Sequence, residues 1–340
     1  MITIVLLSHN NSQYLRRALS YYKQLKFKGE IFIADSSSSE EKNQISMMVK
    51  EFKDDQFSLT LFQNEGMTFG EKVANAIQKV CTPYVLLAPV DDFFSIQSLY
   101  EAEVFLTKNL SYSFVRGYAY GYMYQQGMSI EWYYVGDCYN PRLFNQENPL
   151  ERIDSYLNSY TSTMYSLFRT IVFRDIFEQV IQYANDECGK FFENMITILA
   201  FLYGKGLHLK VPFSWRELND SSAGRLYHQK WLIDEHFEKN KQFMEDGVKS
   251  ALERILQFDS KKSDLQSKLI VQSFISYNFQ VIFPAKKKGF KSFILRHAPM
   301  VILSGLRIMR NIAVSLRRDR WSGEHLLRDV RSSYYWSLSW

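Results

Sequence analysis

"CTPYVLLAPVDDFF", residues 81–94, is the stretch on which the fold turns. An apolar run with the composition of a buried strand ends abruptly in Asp91 and Asp92, and Phe93 and Phe94 follow. Adjacent carboxylates at a strand exit admit two readings. One is helix capping, with Asp92 or Ser95 starting a helix through "SIQSLYEAEVFL". The other is a carboxylate pair that holds a divalent cation and, through it, phosphates.

The residues upstream favour the second reading. "MITIVLLS" is a short β-branched run, and "NNSQYLRRALSYYKQL" is an amphipathic helix with an Asn/Ser start. "GEIFIADSSSS" is a second strand ending in Asp35, "EEKNQISMMVKEF" a helix, and "FSLTLFQNEG" a third strand. "TFGEKVANAIQKV" is again helical and leads to the fourth strand, "PYVLLAPV". Such alternation implies βαβ units and a mostly parallel sheet flanked by helices. In open sheets of this kind, ligands bind beyond the carboxyl ends of the strands. Ser8, His9 and Asn10, then Asp35, then Asn64 and Gly66, then Asp91 and Asp92 all fall at strand ends. One polar strand end is a turn; four on one rim, two of them acidic, describe a nucleotide and metal site.

Composition is that of an ordinary globular chain: 340 residues, 46% hydrophobic and 23% charged. Cys81, Cys138 and Cys188 are too widely spaced for a zinc site or a disulfide framework, which fits a reducing cytoplasm. The first strand lacks the basic flank of a signal peptide. Charge is unevenly placed. Residues 286–340 hold 12 Lys+Arg against 3 Asp+Glu, a net of +9, so residues 1–285 carry −4 of the overall +5. A basic tail on an acidic body argues for an anionic surface as partner and against a nucleic-acid groove.

Beyond residue 110 the pattern is less regular. "SYSFVRGYAYGYMYQQG" suggests strands or a hairpin, with helical stretches expected around "TMYSLFR". "GKFFENMITILAFLYGKG" reads as a helix and "LHLKVPFSWRELN" as a short closing strand. The expected division is residues 1–220 as the α/β domain and 221–340 as a helical C-terminal region. Within its basic segment 286–320, Arg307, Arg310, Arg317 and Arg318 gather opposite Ile302, Leu306, Ile308, Met309, Ile312 and Leu316, with Leu303 and Val314 out of place on the basic side. That segregation suits a helix lying in an anionic membrane interface. The alternative is a helix docked on the main domain or on a second copy in a homodimer.

These segments resemble a family-two, GT-A-fold glycosyltransferase of the bacterial surface-polysaccharide type. "IVLLSHNNSQYLRRAL" is similar to the family's opening strand and helix, with Leu7, Ser8, His9 and Asn10 at the first turn. "IFIADSS" resembles the second strand, whose terminal acid reads the base or ribose; Asp35 takes that place. "NEGMTFGEKVANA" resembles the segment covering the nucleotide, with Lys72 as a contact. "LLAPVDDFF" resembles the D-x-D region, except that Val90 stands where the first Asp would lie, so Asp92 inherits the metal-ligand role more safely than Asp91. "FFENMI" resembles the motif that supplies the catalytic base, pointing to Glu193.

The resemblance implies inverting transfer of a hexose from a nucleotide-diphosphate sugar, a UDP-sugar favoured, to a glycan or polyprenol-linked acceptor. Mg²⁺ or Mn²⁺ on Asp92 and Asp91 would neutralise the departing diphosphate. Arg216 could reach that diphosphate or pair with Glu217, and Asp186 and Glu187 are further candidates for the base; His208 and His228 could supply a third metal ligand, although a lone histidine is more often structural. The expected location is cytoplasmic, peripheral on the inner face of the cell membrane. Two alternatives stand beside this reading: a sugar-binding relative that kept the fold and lost catalysis, and a nucleotidyltransferase, although "SHNNSQ" lacks that class's Gly-rich phosphate loop.

Overall fold

Runs of alternating apolar residues followed by amphipathic helices build one half of a sheet. The computed structural model describes residues 1–54, 57–123, 131–134, 144–157, 163–182, 189–217 and 237–282. In chain order the first elements are β1 (Ile2–Ser8), α1 (Ser12–Gln24), β2 (Glu30–Asp35), α2 (Ser39–Phe52), β3 (Ser58–Gln63), α3 (Phe69–Gln78) and β4 (Tyr84–Pro89). The four strands are parallel, and Ser8, Asp35 and Gln63 lie side by side at their exits. Period-2 alternation divides the side chains between two apolar layers. Val5, Leu7, Phe32, Ala34, Val85 and Leu87 belong to one, and Ile4, Leu6, Ile31, Ile33, Leu86 and Ala88 to the other.

The second half follows as β5 (Phe93–Phe94), α4 (Ile96–Lys108), β6 (Tyr112–Met123), β7 (Glu131–Tyr134), α5 (Pro149–Leu157), β8 (Leu167–Arg169), α6 (Thr170–Val180), α7 (Gly189–Tyr203) and β9 (Lys205–Glu217). Strand order is β3-β2-β1-β4-β8-β6-β9-β5, with β7 pairing antiparallel on β6 as a hairpin partner. The helix expected around "TMYSLFR" is instead a turn and the short strand β8. Its place explains the change: β8 runs antiparallel between β4 and β6, and Leu167 and Phe168 are buried in opposite apolar layers. A slot with strand partners on both sides outweighs a weak local helical preference.

Two further helices, α8 (Phe237–Leu256) and α9 (Ser260–Ile282), complete the described chain. Met244, Val248, Leu252, Val271 and Phe274 share an apolar cluster with Ile196 and Leu199 of α7, so these helices pack on the α/β unit. No helix among the described residues is long and apolar enough to cross a membrane. Segment 286–320 lies outside the described residues, as do Asp186, Glu187 and His228.

His208 sits in β9 opposite Arg116 of β6, with its ring 5.3 Å from that of Tyr118. It is a core histidine of the sheet, not a companion of Asp92. Burial first, then the charge of Arg116, pushes its pKa down from 6.5 to about 3. Between those values the unfolded chain takes up a proton that the folded chain refuses, so stability falls as pH drops below about 6.5. His208→Gln is expected to remove about 2 kcal/mol of the loss between pH 7 and pH 5, read by chemical denaturation. Parallel pH profiles for both proteins would place that proton elsewhere.

Candidate functional site

Strand order reverses between β1 and β4: the chain runs outward from β1 through β2 to β3, then returns to the other side of β1. This is a topological switch point, where the loops at the strand exits diverge and leave a crevice. Leu7 pairs with Pro89, so Ser8 to Asn10 leave the sheet beside Val90 to Asp92. All four strand exits named from the sequence therefore open on one rim.

Away from β4, the rim is tied by polar contacts. Asp35 is buried and its Oδ1 accepts the Ser37 hydroxyl at 2.6 Å. His9 is exposed, with Nδ1 3.0 Å from the Ser36 carbonyl. Asn10 adopts φ 50°, a conformation Asn tolerates better than most residues, and its Oδ1 accepts the Ser38 N–H at 2.8 Å. Buried Lys72 donates from Nζ to the Ser8 carbonyl and the Ser36 hydroxyl, both at 2.9 Å. Its ammonium thus ties the β1 and β2 exits together beneath the crevice. Buried Asn64 donates its N–H to the Asp35 carbonyl at 2.7 Å, and Gly66 turns the chain at φ 75°, where a Cβ would be strained. Thr68 and Glu71 then form a capping box that starts α3.

Beyond β4 lies the acidic end. The capping duty falls to Ser95, which accepts the Ser98 N–H at 3.2 Å and starts α4. Asp92 is therefore not a cap. It is 4% exposed, and its Oδ2 lies 3.4 Å from Nε of Arg216 at the end of β9. Burial, partly offset by Arg216, raises the Asp92 pKa to about 7, with Asp91 adding to the rise. Burial likewise raises Asp91. Val90 turns into the apolar layer with Phe93 and Phe94, so the first D-x-D position contributes no ligand.

Glu193, half-buried in α7, is close enough to raise the pKa values of both Arg216 and Tyr165, the same two groups that feel Asp91 and Asp92. The Arg216 guanidinium lies over the Tyr165 ring at 5.5 Å. Asp92 and Tyr165 thus touch Arg216 directly, and the charges of Asp91 and Glu193 act on it from farther off.

Arg216 does not pair with Glu217. Buried Arg17 of α1 takes Glu217 instead, Nη1 to Oε2 at 2.6 Å. Tyr122 and Tyr14 donate their hydroxyls to the same carboxylate at 3.1 and 3.2 Å. Neither Arg17 nor Tyr122 stands out in the sequence; the one signal is helical phase, which puts Arg17 on the buried side of α1 with Tyr14 and Tyr21.

As a metal site, the rim offers two adjacent carboxylates, and among the described residues no group of three His, Cys, Asp or Glu converges. Hard carboxylate oxygens, few in number, are the donors Mg²⁺ takes when phosphate oxygens and water complete its shell, so the residue types suit such an ion, with Asp92 Oδ2 already beside Arg216.

A sheet reversing at β1/β4, with an acid at the β2 exit and carboxylates just past β4, is the GT-A form of the α/β fold. No family model and no curated protein matches the sequence. Among solved structures, the chain is similar to S. aureus TarS residues 1–349, with TM-score 0.54, 13% identity, and coverage of 85% of this chain and 76% of that one. S. aureus TarS in its longer form matches with TM-score 0.53 and 12% identity, over 85% of this chain but 46% of that one. At such identities the likeness concerns the fold.

Proposed function

We propose that this protein is a glycosyltransferase that moves a hexose from a nucleotide-diphosphate donor, UDP-linked in first choice, to a hydroxyl of a glycan or polyprenol-linked acceptor, with inversion, in cell-surface polysaccharide synthesis. The observation that carries this reading is the contact of buried Asp92 with Arg216 at 3.4 Å, beside the switch point of a GT-A sheet and on the same rim as Asp35. In this reading Asp35 accepts from the base or ribose, and Ser8, His9, Asn10, Asn64 and Gly66 shape the walls around it. Lys72 holds those walls together. Arg216, a strong fixed donor, meets the diphosphate, whose growing charge is best stabilised by groups already in position.

Asp92, with Asp91 beside it, would hold Mg²⁺ or Mn²⁺, which when bound supplies positive charge for the departing diphosphate. Glu193 takes the proton from the acceptor hydroxyl as it attacks the anomeric carbon from the opposite face. We further propose that segment 286–320 rests on the inner face of the cell membrane, where a polyprenol-linked acceptor would be found. Buried Val90 in place of a ligand favours one other reading, a relative that binds sugar nucleotides without turning them over.

A thermal-shift panel of nucleoside diphosphates, with and without Mn²⁺, tests donor binding. A ligand at a hundred times its Kd stabilises by about 2.7 kcal/mol, which is several degrees. UDP with Mn²⁺ is expected to give the largest shift. If no nucleotide shifts the melting temperature under any metal condition, the reading fails; binding without sugar transfer or donor hydrolysis would select the non-catalytic relative.

A further inference from the structure

We infer that Arg17 and Glu217 are positioning residues: a buried ion pair that clamps the Asp91–Asp92 turn to the end of β9 and so sets Asp92 against Arg216. The role rests on the Asp92–Arg216 site being the donor site proposed above, but the clamp itself is a property of the fold. Arg17 uses both arms of its fork. Nη1 meets Glu217 at 2.6 Å, while Nη2 donates to the main-chain carbonyl of Asp91 at 3.0 Å. Tyr122 closes the same node from β6: its hydroxyl donates to Glu217 Oε2 at 3.1 Å and lies 3.3 Å from the Asp91 carbonyl. The guanidinium is closed in by two rings, Tyr14 at 4.7 Å and Phe93 at 5.0 Å. Glu217 also follows Arg216 directly in β9, so holding its side chain holds the strand end that carries Arg216. One buried node therefore joins α1, β6, the Asp91–Asp92 turn and the end of β9, four pieces distant in sequence.

Stability is a poor reason for such a node. Removing both charges from water costs several kcal/mol per ion, and well-packed neutral replacements of a buried pair are often neutral or stabilising. What the pair supplies and a neutral pair does not is direction: a planar fork fixes two acceptors at once. The acceptors it fixes are the carboxylate next to Arg216 in the chain and the carbonyl next to Asp92. Groups of this kind, which orient ligand-bearing residues without touching the ligand, typically matter 10–100-fold for affinity or activity.

The test is the full-length protein with Arg17→Met and Glu217→Gln together, which removes both charges and keeps volume and the acceptor for Tyr14 and Tyr122. The melting temperature is expected to hold. Amide exchange at Asp92, Phe93 and Phe94 is expected to quicken about tenfold or more while β1 to β4 keep their protection. Mn²⁺-dependent UDP affinity and kcat are expected to fall about 10–100-fold. Arg17→Lys, which keeps the charge but loses the planar two-armed fork, is expected to lie between the two proteins in exchange and in kcat. If the double variant keeps wild-type exchange at residues 92–94, the pair is a packing element and the inference is overturned, whatever the nucleotide arm shows. If wild type itself binds no UDP with Mn²⁺, the glycosyltransferase reading falls, and the exchange arm still decides the clamp.

Discussion

Asp92→Asn is expected to lower turnover by about a thousandfold while leaving the ligand-free protein at least as stable as wild type at pH 8. The two halves of this expectation have one cause. Asp92 is buried, and burial holds its pKa near 7, far above the 3.8 of an open carboxyl. Between those values the folded chain keeps a proton that the unfolded chain has lost, so stability declines as pH rises from about 4 to about 7. Above pH 7 the fold carries the full cost of the charge, a few kcal/mol. The amide avoids that cost and still offers an acceptor oxygen to Arg216. It cannot, however, serve as an anionic oxygen ligand beside a diphosphate. Denaturation in EDTA at pH 5 and pH 8, together with steady-state kinetics, measures both halves. A variant that loses stability at pH 8 and turnover in proportion would make Asp92 a structural residue. Unchanged turnover would remove it from the chemistry altogether.

The fold was legible where the physics is local. Each of the first four strands is an apolar run closed by Asn, Asp, Gly or Ser, and each helix between them shows its own stripe, so the rim with Ser8, Asp35, Asn64 and Asp92 follows from period and loop chemistry. Local signals fail for the second half. β5 has two residues and β8 three, too few to show a period, and their existence depends on β9, β4 and β6 arriving from elsewhere in the chain. The closing strand also proved long, thirteen residues, because β9 serves two partners, β6 and β5, with register shifts along the way.

The site divides the same way. Acids at strand ends announce themselves; the residues that hold them do not. Arg16 and Arg17 are identical neighbours in α1, yet Arg16 pairs with exposed Glu51 at 2.8 Å across the surface, whereas Arg17 is buried against Glu217. Only helical phase separates them. The idea that Arg216 pairs with Glu217 fails on strand geometry, since adjacent side chains of a strand face opposite sides. That geometry sends Arg216 to Asp92 and Glu217 to Arg17.

Glu193→Gln is expected to lower kcat by about 10²–10⁴-fold while UDP affinity with Mn²⁺ stays within a few-fold of wild type. The alternative for Glu193 is a first-turn acid that favours the helix dipole, an effect that fades within one turn. Glu193 is the fifth residue of α7, whose first turn holds no acid, so that alternative is weak. Its charge is instead felt by Arg216 and Tyr165. A carboxylate placed there can accept a proton from a hydroxyl that attacks beside the Arg216–Asp92 pair; an amide of the same shape cannot. The substitution leaves Arg216 with Asp92 as its partner, so the donor site is expected to remain assembled. The measurement is a pair, kcat with a saturating acceptor and UDP affinity by titration calorimetry in Mn²⁺. Loss of both together would mean that Glu193 shapes the donor site and is not the base. Retention of kcat within a few-fold would move the base elsewhere, first to Asp186 or Glu187, just ahead of α7 in the sequence.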